Sequence, residues 1–302
     1  MRNSAFQNEI KTLLPHIMVK FQEPMSKHTS FRIGGPASVM VFPQNADELA
    51  DILKVSKLLD CKLAILGAGT NILAPDEGID GIVVCLKDCM SGMKQLDETH
   101  IWVASGVTMA RAAVFAAGLG LGGMEFAHGI PGSIGGGVYM NAGAYGGEIS
   151  QICYSVDVMN LDGSRKTILG KDMQFSYRHS VLEDEPGIVL GAVFSLEKRA
   201  EEEIRQKMAE LMSRRKQSQP LDKPSAGSAF KRPAGAYAAA LIEQNGLKGF
   251  SVGGAAVSDK HCGFVVNIGN AAAKDVKQLL QQVSEKVYEE TGIRLEPEIR
   301  IW

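Results

Sequence analysis

The chain has 302 residues, 45% of them hydrophobic and 22% charged, with a net charge of −2 at neutral pH. That length supports two or three domains with cores of their own, and the near-neutral balance excludes nucleic acid as the main partner, which would call for a basic excess or face. Cys61, Cys85, Cys89, Cys153 and Cys262 form no C-x-x-C pair and no disulfide-like framework, so reduced thiols in a cytosolic protein are expected.

Residues 1–20 carry scattered charges and no sustained apolar core, unlike a signal peptide. A first block runs from about residue 20 to 85. Within it, Leu49, Ile52, Leu53 and Leu59 recur at helical spacing behind an Asn/Asp start, which predicts a helix over 45–60. Short apolar runs predict strands at 62–66 and 82–86, a β–α–β unit with Gly67-Ala68-Gly69-Thr70-Asn71 directly after the first of these strands. Glycines let backbone approach a ligand closely, and N–H groups in such a turn can bind phosphate. The turn lacks the third glycine and the helix opening of a Rossmann fingerprint, and alone it specifies only a tight turn.

A second block covers about 100–197, with a strand at 101–104 and a helix at 108–117 that has Thr108 as N-cap and Gly118 as stop. The apolar region 107–127 is broken by Arg111 and several glycines, so it reads as a buried helix and loop and not a membrane span. Strands at 156–160 and 165–168 flank Asp162-Gly163, a hairpin signal, and a further strand is expected at 188–196. A third block covers about 200–302, after a charged boundary at 198–205. It predicts helices at 200–217, 236–244 and 273–290, the last with Val276, Leu279, Leu280, Val283 and Val287 on one face. Alternation over 293–302 predicts a terminal strand.

The most specific chemistry lies in Gly129-Ile130-Pro131-Gly132-Ser133-Ile134-Gly135-Gly136-Gly137, continuing through Asn141-Ala142-Gly143 to Gly147. No packed core requires that glycine density. A flexible linker would be polar throughout, whereas Ile130, Ile134, Val138, Tyr139 and Met140 can pack, so backbone pressed against a large planar or phosphorylated ligand is expected. Arg178 could be a solvated surface charge or a bidentate holder of a carboxylate; adjacent His179 reads as non-catalytic. Ser225 and Ser228 share a Gly/Ser loop without a G-x-S-x-G elbow, and composition does not choose between them. Glu296 and Glu298 fall with Arg294 and Arg300 on one face of the expected terminal strand, and spacing does not choose between them either.

Six ordered motifs, spread from about 28 to 301, together resemble the UDP-N-acetylenolpyruvoylglucosamine reductase family. They are His28-Thr29-Ser30-Phe31-Arg32-Ile33-Gly34-Gly35-Pro36-Ala37, the 67–73 turn, the 129–148 segment, Tyr177-Arg178-His179-Ser180, Ala226-Gly227-Ser228-Ala229-Phe230-Lys231, and Leu295-Glu296-Pro297-Glu298-Ile299-Arg300. The resemblance implies an α+β fold: a two-part FAD-binding region of the vanillyl-alcohol-oxidase type, plus a C-terminal α+β substrate domain. Its expected boundaries here are an N-terminal helical segment 1–19, FAD-binding subdomains 20–85 and 86–198, and a substrate domain 199–302.

By position, the resemblance implies Arg178, Ser228 and Glu298 as catalytic residues. It assigns non-covalent FAD to Gly67, Ala68, Gly69, Thr70, Asn71, Ile72, Gly129, Ile130, Pro131, Gly132, Ser133, Ile134, Gly135, Gly136, Asn141, Ala142, Gly143 and Ile188. NADPH is the implied co-substrate, a UDP-sugar the substrate, and Arg214, Lys216 and Lys231 the candidate holders of its diphosphate. No metal is expected, and the protein is expected to be a cytoplasmic monomer. The short stretch between Arg178 and Glu197 resembles the family's shorter form, without its Tyr-bearing insertion. The alternatives are a flavin oxidase of the same fold, with His128 as a possible covalent anchor, and a non-catalytic nucleotide-binding module. The serine and glutamate motifs argue against both.

Overall fold

A computed structural model describes residues 2–302; Met1, at the start of the expected N-terminal segment, lies outside the described residues. The chain divides into two compact units. The first comprises Met1–Phe21, Val39–Ala68 and Gly81–Arg214, and the second Gln22–Ser38, Gly69–Asp80 and Arg215–Trp302.

In the first unit, a five-stranded antiparallel sheet has the order Arg165–Leu169, Cys153–Asn160, Gly187–Ser195, His100–Ala104, Met93–Gln95. The first two strands form the hairpin expected from Asp162-Gly163, and Gly163 takes the positive φ of 87° that the turn requires. Helix Met109–Gly118 starts at Thr108, whose hydroxyl accepts the Arg111 N–H, and buries Met109, Ala112, Ala113, Ala116 and Ala117. A four-stranded sheet runs Met18–Pro24, Pro36–Phe42, Ile79–Cys85, Leu63–Leu66, with the last two strands parallel. Helix Ala46–Leu58 is capped by the Asn45 side chain, which accepts from the Asp47 and Glu48 N–H groups, and it buries Leu49, Ile52 and Leu53 as its periodicity predicts.

The second unit holds a four-stranded sheet in the order Ser225–Ser228, Phe264–Asn267, Ala255–Val257, Ser251–Val252. Helix Ala273–Thr291 buries Val276, Leu279, Leu280, Val283 and Val287, the stripe read from sequence, and ends at Gly292 with φ 71°. Its N-terminus is held by a residue distant in sequence: the Asp76 carboxylate accepts the Ala273 and Lys274 N–H groups at 2.7 and 3.1 Å.

The 129–147 segment contains a short helix. Ser133, buried with its hydroxyl accepting the Gly136 N–H, caps a short helix Ile134–Tyr139. One expectation changes: the 293–302 stretch is not a continuous strand. Only Arg300–Ile301 pairs as one, in parallel with Ile72–Leu73, while Leu295 and Ile299 are buried and Pro297 is exposed. At Pro297 the stretch makes only an isolated antiparallel bridge, to Phe230.

Candidate active site

In the first unit, strand Leu63–Leu66 runs directly into Gly67. A Cβ there would stand 2.5 Å from Ser133 Oγ, so the close approach of turn and glycine segment favours glycine. At Gly135 a Cβ would meet Ser105, and at Gly137 it would meet Met109, each under 3 Å. Exposed Gly136 differs: its nearest neighbour would be Ser133 Oγ at 3.6 Å, so this face of the segment is open. Among the described residues, no hydrogen bond uses the backbone N–H of Gly67, Ala68, Gly132 or Ser133, nor, in the second unit, of Gly69 or Thr70. Backbone N–H groups without acceptors on glycine-rich turns fit the phosphate-bearing part of a dinucleotide such as FAD. Next to Gly129, His128 Nδ1 is buried without a partner among the described residues, and burial lowers the His128 pKa, which favours a neutral ring.

Arg178 lies in a two-residue turn closed by reciprocal Ser176 and His179 backbone bonds, each 3.2 Å. Its φ is 58°, the left-handed region where a β-carbon is disfavoured. Three contacts join this turn to the glycine segment. Asn141 Nδ2 donates to Ser176 O (3.1 Å), Ser180 Oγ donates to Tyr139 O (2.7 Å), and Arg178 Nη2 reaches Gly143 O at 3.4 Å. The Asn141 carboxamide, expected at the cofactor, is therefore engaged inside the protein, and its oxygen accepts the Ser150 N–H. The Ile188 side chain is 3% exposed and belongs to the core. His179 faces Asp184 at 3.1 Å.

In the second unit, Phe230 pairs with Pro297 in an antiparallel bridge. The flanking bonds are Lys231 N–H to Glu296 O (2.8 Å) and Glu298 N–H to Ala229 O (2.9 Å). Pro297 thus occupies a non-hydrogen-bonded position, where its missing donor costs nothing. This brings the segments bearing Ser228 and Glu298 side by side. Ser228 is exposed at the end of its strand, opposite Phe264, beyond a bulge that Gly227 permits with φ 78°. The two glutamates, equivalent by spacing, differ in surroundings: Glu296 is 70% exposed with Lys231 Nζ at 3.5 Å, whereas Glu298 is half-buried.

The candidate diphosphate holders are scattered. Exposed Lys231 faces Glu296. Lys216 is exposed, and its carbonyl accepts from Lys260 Nζ at 2.6 Å. Arg214, in the first unit, lies over the Tyr145 ring at 5.2 Å. The buried cation of this run is Arg215, 9% exposed; in the sequence only its place on the inward side of helix Glu201–Ser218 marks it. Among the described residues no cluster of metal-ligating side chains occurs, and no helix is long and apolar enough to cross a membrane.

An α+β chain with a glycine cradle of acceptor-free amides is a flavin-type dinucleotide binder, and residues 37–168 match the FAD binding domain family. Residues 219–302 match the C-terminal domain of UDP-N-acetylenolpyruvoylglucosamine reductase. Proteins of that name from Agathobacter rectalis and Caldanaerobacter subterraneus are 43% and 44% identical to the chain, covering 99% and 97% of it and 98% and 97% of their own lengths. The crystal structure of UDP-N-acetylenolpyruvylglucosamine reductase from Thermus caldophilus superposes with a TM-score of 0.80 at 35% identity, covering 95% of this chain and 99% of that one. The chain belongs to the UDP-N-acetylenolpyruvoylglucosamine reductase family.

Proposed function

We infer that the protein is an FAD-dependent oxidoreductase of peptidoglycan synthesis. It uses NADPH to reduce the enolpyruvyl double bond of UDP-N-acetylglucosamine-enolpyruvate, giving UDP-N-acetylmuramate. Family membership over nearly the full length supports the reaction. The observation that carries the residue assignment is the Glu298–Ala229 backbone bond, which sets the Glu298 segment beside Ser228.

Bound FAD would supply the hydride chemistry that links NADPH to the outer carbon of the double bond. The residues of the chain handle charge and proton. Hydride addition leaves negative charge on the inner carbon, delocalised into the substrate carboxylate. In this proposal the Arg178 guanidinium, held in its strained turn, pairs with that carboxylate. Glu298 stabilises the same developing charge by hydrogen bonding or as an acid. The Ser228 hydroxyl gives its proton to the inner carbon and completes the addition of two hydrogens; a hydroxyl is a weak acid but can protonate a strongly basic carbanion.

Gly67, Ala68, Gly69, Thr70, Gly132 and Ser133 would bind the cofactor diphosphate through backbone N–H groups. Gly129, Ile130, Pro131, Ile134, Gly135, Gly136, Ala142 and Gly143 would line the rest of its path. The half-exposed to exposed cations Arg214, Lys216 and Lys231 remain proposed contacts for the UDP diphosphate, and a monomer working in the cytoplasm is proposed with them. The test is Ser228→Ala: reduction of the flavin by NADPH stays fast, while reoxidation by the enolpyruvyl nucleotide slows by about 10²–10⁴. Unimpaired turnover would remove Ser228 from this role.

A further inference from the structure

Asn71 ends the glycine turn and reads from sequence as a cofactor residue. The structure gives its side chain another task. Asn71 Nδ2 donates to the Glu298 carbonyl at 3.1 Å, and the Asn71 carbonyl accepts the Arg300 N–H at 3.0 Å. Parallel pairing of Ile72 with Arg300 and of Leu73 with Ile301 follows immediately. Glu298 is therefore fixed on both sides of its Cα. Its N–H is held by Ala229, next to Ser228, and its carbonyl is held by Asn71, next to Thr70. Both flanking peptide groups are bonded, which restrains the backbone that carries the carboxyl group.

We propose that Asn71 is a positioning residue for Glu298, acting through its carboxamide on the Glu298 backbone and not as a side-chain ligand of the cofactor. The inference rests on the role given to Glu298 above. A short residue with one donor and one acceptor suits the position. Its side chain bonds the Glu298 carbonyl at a position that lies outside any strand, where no regular ladder satisfies that group. Displacing a catalytic group by about 1 Å can cost about a hundredfold in rate, so a remote hydrogen bond can act strongly on chemistry and weakly on binding.

The experiment compares Asn71→Asp, which keeps size and removes the donor, and Asn71→Ala with Glu298→Gln, all as flavin-loaded protein. For the Asn71 variants, FAD affinity is expected within about threefold of the parent and flavin reduction by NADPH within about twofold. Reoxidation by the enolpyruvyl nucleotide is expected to slow by about 10–100-fold, with kcat affected and KM little changed. Hydrogen exchange of a peptide covering residues 297–302 is expected to accelerate about tenfold, a readout independent of turnover. The proposal is overturned by an FAD affinity that falls tenfold while reoxidation at full loading is unchanged, since Asn71 would then serve the cofactor. Equal slowing of both half-reactions also overturns it, since the role would then be general to the fold. If Glu298→Gln leaves reoxidation unchanged, the assignment of Glu298 is what fails. If Glu298→Gln slows it and neither Asn71 variant does, the positioning role alone fails.

Discussion

The backbone N–H of Glu298 donates to the carbonyl of Ala229 at 2.9 Å, and this bond joins two motifs about 70 residues apart in the sequence. It exists because Pro297, directly before Glu298, falls on a non-hydrogen-bonded position opposite Phe230. The candidate proton donor and the candidate acid are thus neighbours through backbone geometry, whatever their side chains do.

That geometry separates the two glutamates. Glu298→Gln is expected to slow reoxidation of the reduced flavin by about 10²–10³-fold, the scale of a lost charge-stabilising group. Glu296→Gln, which loses an exposed pair with Lys231, should change it less than twofold and stability by less than about 0.5 kcal/mol. Stopped-flow reoxidation kinetics of both variants decide the matter, and equal effects would mean that neither carboxylate has been correctly assigned.

Arg178 combines function with backbone strain. Arg178→Gly relieves the left-handed conformation at φ 58° and is expected to leave stability unchanged or raise it by about 1 kcal/mol. The same substitution should lower kcat/KM by at least about a hundredfold. Arg178→Lys keeps the charge but loses the bidentate fork, and should recover only part of the activity. Denaturant titration beside steady-state kinetics checks both halves. A large stability loss in Arg178→Gly would show that the turn needs the arginine side chain.

The glycines make distinguishable predictions. Gly67→Ala drives a Cβ into Ser133 Oγ and should destabilise the protein by about 1–3 kcal/mol, with partial rescue by Ser133→Gly. Gly136→Ala has space and lies within a helix, so stability should hold or rise. If the cofactor lies over Gly136, FAD affinity should nevertheless fall. Thermal melts of the apo-protein, paired with FAD titration, separate the two effects.

Much of this was legible in the residues because local rules decide it. Thr108 caps its helix, Asp162-Gly163 turns its hairpin, and the stripe from Val276 to Val287 is buried. Less legible was what depends on residues far apart in sequence. Nothing local in Asp76 announces that it caps helix Ala273–Thr291, and nothing local in Asn71 points to Glu298. Segments Gln22–Ser38 and Gly69–Asp80 likewise join the unit built mainly by Arg215–Trp302. The expected strand over 293–302 failed because alternation is a pattern of side chains, while a ladder needs a partner in register: Pro297 makes only an isolated bridge to Phe230, and only Arg300–Ile301 finds a partner strand, Ile72–Leu73. Of the site, residue types were readable but not their surroundings: Ser225 and Ser228, or Glu296 and Glu298, are told apart only by fold or family.

Two thiols, Cys85 buried and Cys153 half-buried, should lower stability at alkaline pH. Burial pushes the Cys85 thiol up to about 11 and the Cys153 thiol up to about 12. In the unfolded chain these groups ionise near pH 8.5. Above that pH the unfolded state loses protons that the folded state retains, so stability falls as pH rises from about 8.5 towards the folded values. Urea midpoints measured from pH 7 to 10.5 should decline, and Cys153→Ala should flatten part of that decline. An unchanged slope in Cys153→Ala would place the alkaline sensitivity elsewhere.

An anaerobic flavin titration tests the reduction of the enolpyruvyl double bond itself. The purified, FAD-loaded protein is bleached with one equivalent of NADPH and then mixed with UDP-N-acetylglucosamine-enolpyruvate. Full return of the oxidised flavin spectrum is expected, with one equivalent of UDP-N-acetylmuramate formed, and a return slowed by about 10²–10⁴ in Ser228→Ala. A flavin that stays reduced in the presence of the enolpyruvyl nucleotide would contradict the proposed reaction.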